Sequence, residues 1–145
     1  MKGAKPSARR RAREFVLQAL YQWQVAGQEV GDIEAQFAEA EGFKKADGIF
    51  FSALLNGATS HAAATQEALQ PHLDRPWAEV SPIERSVLLL SGYELNSSPD
   101  VPYRVVINEA IELAKSYGGT DGHKYVNGVL DKLAAVVRGA EMANQ

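Results

Sequence analysis

The sequence predicts an all-α protein that folds as a single domain of about six or seven helices. Apolar residues recur three and four positions apart along most of the chain, whereas no stretch keeps the strict alternation that a β-strand requires. Glycine and proline interrupt this pattern at intervals typical of helix lengths. With 145 residues the chain can bury a core of its own, and the absence of cysteine excludes disulfide bonds. We expect residues 1–145 to form one domain, with a basic N-terminal arm at 1–8 and a frayed tail at 139–145.

The first helix is predicted at residues 8–24. Its apolar positions share one face and are Ala12, Phe15, Val16, Ala19, Leu20 and Trp23. The opposite side carries Arg10, Arg13, Leu17, Tyr21 and Gln24. Arginines near a helix N-terminus oppose the helix dipole, which favours a ligand that neutralises them, such as phosphate. Leu17 and Tyr21 would then face a partner, although this helix could equally be buried on two sides within its own domain.

The next two helices lie between glycine and proline breakers. Ile33 and Phe37 mark a short second helix that ends before Gly42. A third helix begins near Asp47 and extends, with or without interruption, towards Pro71, which ends it.

A strong helix start follows at Ser81. Serine fits the N-cap position, Pro82 fits the first turn, and Glu84 stands where a capping box requires an acid. The helix is apolar on all sides at residues 87–90, which predicts that it is central and buried. Gly92 inside it indicates the close approach of another helix.

Two further helices complete the prediction. Pro102 opens the first, Gly118-Gly119 is expected to end it in the left-handed conformation, and its buried stripe is Val106, Ala110, Leu113, Ala114 and Tyr117. Asp121 is expected to cap the last helix, whose inward residues are Val126, Val129, Leu130, Leu133, Val136 and Val137.

Charge is distributed unevenly along the chain. Residues 1–25 contain six basic side chains and one acidic one, a net charge of +5, whereas the other 120 residues carry −8. A basic segment on an acidic body points to nucleic acid as a ligand, and a solvated terminus is the simpler alternative. The basic start leads into arginines rather than an apolar run, and no stretch is long enough to span a membrane, so we expect a cytoplasmic protein.

No arrangement of residues predicts an enzyme. The histidines His61, His72 and His123 have no partners at metal-ligand spacing, so neither a metal nor a cofactor is expected. Glu109 and Glu112 share a helix face without the histidine that a di-iron site requires. Phosphate-binding loops and nucleophile elbows are missing as well.

Several ordered blocks together resemble the NusB family of bacterial transcription antitermination factors. The opening of that family is similar to residues 8–14 (ARRRARE) and 17–24 (LQALYQWQ). Its central helix is similar to residues 81–85 (SPIER) and 93–95 (YEL). The longest matches are residues 100–115 (DVPYRVVINEAIELAK) and 123–133 (HKYVNGVLDKL). These blocks extend over nearly the whole chain, which makes the resemblance specific.

The resemblance implies a fold of two small helical bundles packed against each other, and a role in binding RNA. NusB proteins pair with NusE, a small-subunit ribosomal protein. Together they bind the single-stranded boxA segment of nascent transcripts, as part of an RNA polymerase antitermination complex. The arginine-rich RNA-binding motif of the family corresponds here to Arg9, Arg10, Arg11 and Arg13.

Two further contact regions are implied by the same resemblance. A second RNA-binding region corresponds to Asp121, Lys124 and Tyr125. The positions that face NusE include Tyr21 and Glu84, and we expect Leu17 to lie beside Tyr21. Locally, Gly122 replaces a frequent serine and Tyr125 replaces a frequent phenylalanine, which keeps an aromatic face available.

Two alternative functions were considered, and the sequence argues against the first. NusB-like domains also occur fused to RNA cytosine methyltransferases, but those enzymes need a nucleotide-binding domain and a catalytic cysteine, which this sequence lacks. The protein could instead be a helical adaptor whose arginines bind an acidic protein surface without specific RNA binding.

Overall fold

The computed structural model describes residues 7–119 and 121–144, and all regular structure within them is helical. Most of the basic arm predicted at 1–8, including Lys2 and Lys5, therefore lies outside the described residues. In chain order the α-helices are α1 (Ala8–Ala26), α2 (Val30–Ala38), α3 (Gly48–Ser60), α4 (Ala62–Leu69), α5 (Pro82–Ser97), α6 (Tyr103–Tyr117), α7 (Gly122–Val137) and α8 (Gly139–Ala143). Short 3-10 turns occur at Phe43–Lys45, Gln70–His72 and Trp77–Glu79.

The helices form two small bundles, which confirms the predicted all-α architecture. The N-terminal bundle contains α1, α2 and α3, and the C-terminal bundle contains α5, α6 and α7 with α4 packed on α5. Both α1 and α3 also contact α5, so the bundles share an extensive interface. None of the described helices is long and apolar enough to cross a membrane.

Phenylalanine rings fill the centre of the N-terminal bundle. Phe15 of α1 lies 6.1 Å from Phe37 and 5.4 Å from Phe43, measured between ring centroids. Phe51 of α3 completes the cluster, with its centroid 5.1 Å from that of Phe43. These offset and edge-to-face contacts join α1, α2 and α3.

The predicted central helix is α5. Its start is capped by Ser81, whose Oγ accepts a hydrogen bond from the Glu84 amide at 3.2 Å. Residues 86–92 are buried, as the apolar run on all sides predicts. A Cβ atom placed on Gly92 would lie only 2.8 Å from Cγ2 of Thr65 on α4, which confirms the predicted close approach.

The segment between Asp47 and Pro71, left open as one helix or two, is divided at His61 into α3 and α4. Two local expectations were wrong. Gly118 ends α6 in an extended conformation (φ −98°, ψ −174°), and its amide donates to Ala114 O at 2.8 Å instead of adopting a left-handed turn. Val136 is 70% exposed, because it lies off the inward face of α7, which Ala134 and Val137 continue into the last turn.

At the end of the chain, where a frayed tail was predicted at 139–145, residues 139–143 form α8. Arg138, which is buried, donates hydrogen bonds to the carbonyl oxygens of Leu95, Ser98 and Val101 at 2.6–3.0 Å. Its guanidinium also pairs with Glu141 at 2.6 Å. Arg138 thus satisfies carbonyl groups that the end of α5 leaves without helical partners.

Candidate nucleic-acid interface

The arginine-rich motif occupies the first turns of α1. Ser7 caps this helix, because its Oγ accepts a hydrogen bond from the Arg10 amide at 3.0 Å. The first turn contains no acidic residue to complement the helix dipole. The four arginines point in different directions around the helix, and the structure gives them different roles.

Arg13 is not available to a ligand, contrary to its predicted role as an RNA contact. Its side chain is 4% exposed, and it donates through Nε and Nη2 to the two carboxylate oxygens of Glu94, each at 2.8 Å. Glu94 lies on α5 and is buried as well. A bidentate ion pair therefore links α1 to α5 inside the protein.

Arg10 is half exposed and faces α6. It makes two hydrogen bonds with Glu109, at 3.0 Å through Nε and 2.7 Å through Nη2. The hydrogen bonds to Glu109 hold the pKa of Arg10 above its ordinary value, and the nearby carboxylates of Glu112 and Glu14 act in the same direction. To bind a phosphate through its Nε–Nη2 edge, Arg10 must exchange the Glu109 carboxylate for that phosphate.

Arg9 and Arg11 are the members of the motif that remain accessible. The Arg9 side chain is 50% exposed, lies 4.4 Å above the Phe50 ring and approaches Asp47 at 4.0 Å. Arg11 is partly exposed, and within the described residues it forms no ion pair. Both can therefore meet a phosphate without breaking a buried contact.

The predicted second region lies at the start of α7. Asp121 and Lys124 are exposed and form an ion pair at 3.4 Å. Asp121 stands at the N-cap position, but its carboxylate makes no capping hydrogen bond, so its predicted capping role was wrong. Its side chain is directed to Lys124 instead.

Tyr125 is half-buried, and one face of its ring is already covered. The guanidinium carbon of Arg75 lies 4.5 Å from the ring centroid. Burial raises the pKa of Tyr125, and the neighbouring Asp74 carboxylate raises it further, so the phenol stays neutral. Arg75 was missed in the sequence, where only its place between an aspartate and a proline in a short loop distinguishes it.

The predicted partner face is only partly accessible. Leu17 is 1% exposed, so its predicted contact with a partner was wrong. The alternative that α1 is buried on two sides is correct, because the Gln24 amide donates to Ser86 Oγ of α5 at 2.8 Å. Tyr21 does reach the surface, with 39% exposure.

The structure gives Glu84 two contacts within the fold. Its backbone amide completes half of the predicted capping box with Ser81. Its carboxylate is directed at the start of α7, where a Cβ atom placed on Gly122 would lie 2.9 Å from Oε2. A carboxylate beside a helix N-terminus is stabilised by the helix dipole, which gives Glu84 a role within the fold.

Histidine and carboxylate side chains do not gather into a metal site in the part of the chain that the structure describes. The candidate interface consists of three features: a basic start of α1, a mixed polar and aromatic surface at the start of α7, and an exposed tyrosine on α1.

These features define a class: a helical protein of two bundles whose arginine-rich first helix belongs to one bundle and packs against the other. The NusB family model matches residues 10–135, so the chain belongs to the NusB family. Transcription antitermination protein NusB of Ralstonia nicotianae is 58% identical over 137 residues, which cover 94% of this chain and 88% of that protein. The protein of the same name from Nitrosomonas europaea is 58% identical over 134 residues, covering 92% and 80%.

Solved structures share the fold. T. maritima NusB is similar with a TM-score of 0.84 and 28% identity, over 98% of this chain and all of that one. A chain from a crystal structure of antitermination factors NusB and NusE in complex with dsRNA is similar with a TM-score of 0.82 and 25% identity. That similarity covers 89% of this chain and 97% of the other.

Proposed function

We propose that this protein is a transcription antitermination factor that binds boxA-type RNA of nascent transcripts together with NusE. In this role it supports processive RNA polymerase in the cytoplasm, without catalysis and without a cofactor. The observation that carries the proposal is the 58% identity, over nearly the whole chain, to proteins named for transcription antitermination. The exposed arginines of α1 add a physical basis for RNA binding.

The proposed RNA surface has two parts with different chemistry. At α1, Arg9 and Arg11 contact phosphates directly, Arg10 does so after leaving Glu109, and Arg13 only orients the helix. At α7, Lys124 contacts phosphate and Tyr125 contributes to an aromatic platform, while Asp121 meets a base or sugar rather than a phosphate. A carboxylate beside a phosphate would be repelled, which is why Asp121 needs a hydrogen-bond donor.

The proposed NusE surface is centred on Tyr21 of α1. A tyrosine at a protein interface buries apolar area while its hydroxyl keeps a hydrogen bond. Glu84 is proposed at the edge of this surface, at the start of α5. Leu17 supports the helix from within.

Replacing both accessible arginines tests RNA binding. Arg9→Ala together with Arg11→Ala should weaken binding to a single-stranded boxA RNA while leaving the helical circular dichroism spectrum intact. If each arginine contacts one phosphate, the slope of log K against log salt should flatten by about 1.4, since one contact contributes about 0.7. Arg104→Ala is the matched control, because Arg104 is an exposed arginine at the start of α6.

The alternative function, a helical adaptor without specific RNA binding, makes an opposite prediction. In that case the parent protein binds an acidic polypeptide as well as it binds RNA, and the boxA sequence makes no difference. A duplex of the same sequence should be included, since the related NusB–NusE complex contains dsRNA. Equal affinity of the parent and the double variant for every RNA would contradict the proposed RNA surface.

A further inference from the structure

Arg75 occupies an unusual position beside the proposed second RNA region. It lies in the loop between the turns Gln70–His72 and Trp77–Glu79, far in sequence from α7. Its guanidinium lies over the ring of Tyr125, with the central carbon 4.5 Å from the ring centroid. Its side chain nevertheless remains 39% exposed. One side of the guanidinium is thus covered by the tyrosine ring, while part of the side chain is open to solvent.

Asp74 fixes the plane of this guanidinium. The Asp74 carboxylate accepts hydrogen bonds from Nε at 2.6 Å and from Nη2 at 3.1 Å. The Nε–Nη2 edge, which would otherwise bind a phosphate through two hydrogen bonds, is therefore occupied. Nη1, which makes no hydrogen bond among the described residues, and the flat face remain for recognition. Guanidinium planes are surfaces on which unpaired RNA bases stack.

We propose that Arg75 is an RNA-binding residue on which an unpaired base stacks, with Tyr125 forming the layer beneath it. The inference rests on the proposed RNA-binding function and adds a residue to it. Tyr125 cannot present this ring face to a base unless Arg75 leaves, so the guanidinium is the outer layer of the platform. Asp74 holds that layer in place, and Lys124 at the start of α7 supplies positive charge to the adjoining backbone.

An abasic scan of the RNA tests this stacking. A single-stranded boxA RNA is prepared with one base removed at a time, and its affinity for the full chain with NusE is measured. One abasic position should weaken binding to the parent by about 5- to 150-fold, the range expected for one stacked base. The same position should make a smaller difference to Arg75→Ala, because the guanidinium on which the base stacks is missing.

The substitution Arg75→Lys distinguishes a stacking role of Arg75 from a role of its charge alone. Arg75→Lys keeps the positive charge but loses the planar group, so it should bind as weakly as Arg75→Ala and show the same insensitivity to the abasic position. Arg104→Ala is the matched control, since Arg104 is also exposed and lies 5.8 Å from a tyrosine ring, that of Tyr103. It stands at the start of α6, away from α7's first turn, and should behave like the parent.

Different results would overturn different claims. If Arg75→Lys binds like the parent, Arg75 acts only as a charge and the stacking inference is wrong. If Arg75→Ala keeps the full abasic effect while Tyr125→Leu loses it, the base stacks on the tyrosine itself and the inference is again wrong. If the parent with NusE does not bind the complete RNA at all, the proposed function fails first.

Discussion

At the scale of single residues, the buried pair of Arg13 and Glu94 makes a clear prediction about stability. Arg13→Ala should lower the free energy of unfolding by about 3–5 kcal/mol, because it leaves the Glu94 carboxylate buried without its partner. Urea denaturation of the folded variant measures this loss. Replacing both members with apolar residues, as in Arg13→Met with Glu94→Leu, should recover much of it. A loss of RNA affinity without a loss of stability would contradict the structural role.

This pair also shows which site residues a sequence can reveal. The run of arginines, its place at a helix start and the exposed Tyr21 could all be predicted from residues close together in the chain. The burial of Arg13 and Leu17 could not, because both depend on α5, which follows some 70 residues later. A helical pattern shows which residues share a face, but it does not show whether a second helix covers that face.

Glu109 should act as a competitor of RNA for Arg10. Glu109→Gln weakens the ion pair that holds Arg10 on α6, so RNA affinity should rise by about 1.4- to 5-fold, corresponding to roughly 0.2–1 kcal/mol for a partly exposed pair. Equilibrium binding at fixed salt measures the change. Glu112→Gln is the matched control, because Glu112 lies on the same helix but pairs with Lys115 at 3.9 Å. An identical gain in both variants would mean that general charge, and not release of Arg10, is responsible.

At the scale of the helices, two glycines should respond in opposite ways to the same substitution. Helix propensity alone predicts that Gly→Ala stabilises a helix interior by about 1 kcal/mol. Gly92→Ala should instead destabilise the protein by about 1–3 kcal/mol, because its new methyl group would lie 2.8 Å from Thr65 on α4. Gly128→Ala in α7 meets open space and should give the expected gain. Thermal unfolding of both variants, compared with the parent, tests the contrast.

Helix starts were easier to predict than helix ends. Ser81 caps its helix as expected, because an N-cap is encoded within three residues, whereas Asp121 begins α7 without the expected side-chain hydrogen bond. The end of α5 depends instead on Arg138, which arrives more than 40 residues later in the sequence and binds the last carbonyl groups. Such a contact leaves no local pattern, so the way in which α5 ends could not be predicted.

At the scale of the whole molecule, Tyr21→Asp is the better test of the NusE surface. An acidic group in an apolar contact should weaken NusE binding at least tenfold, and calorimetric titration without RNA measures it. Glu84→Lys is less selective, because it would place a positive charge beside the N-terminus of α7 and lower stability as well. Val136→Asp, at another exposed apolar residue, controls for the general effect of the new charge. Parent-like affinity of Tyr21→Asp would place the interface elsewhere.

The position of α1, which belongs to the N-terminal bundle and packs against α5 of the other, has a consequence for how the protein opens. Its buried residues contact α2 and α3 on one side, and its ion pair and packing with α5 occupy the other. Neither bundle can therefore detach without exposing one face of this helix. We expect amide hydrogens in α1, α3 and α5 to exchange with solvent through a single opening event, with one common free energy equal to that of global unfolding. Native-state hydrogen exchange with deuterium would measure this common free energy. The helix that carries the arginines would then keep its structure until the entire protein unfolds.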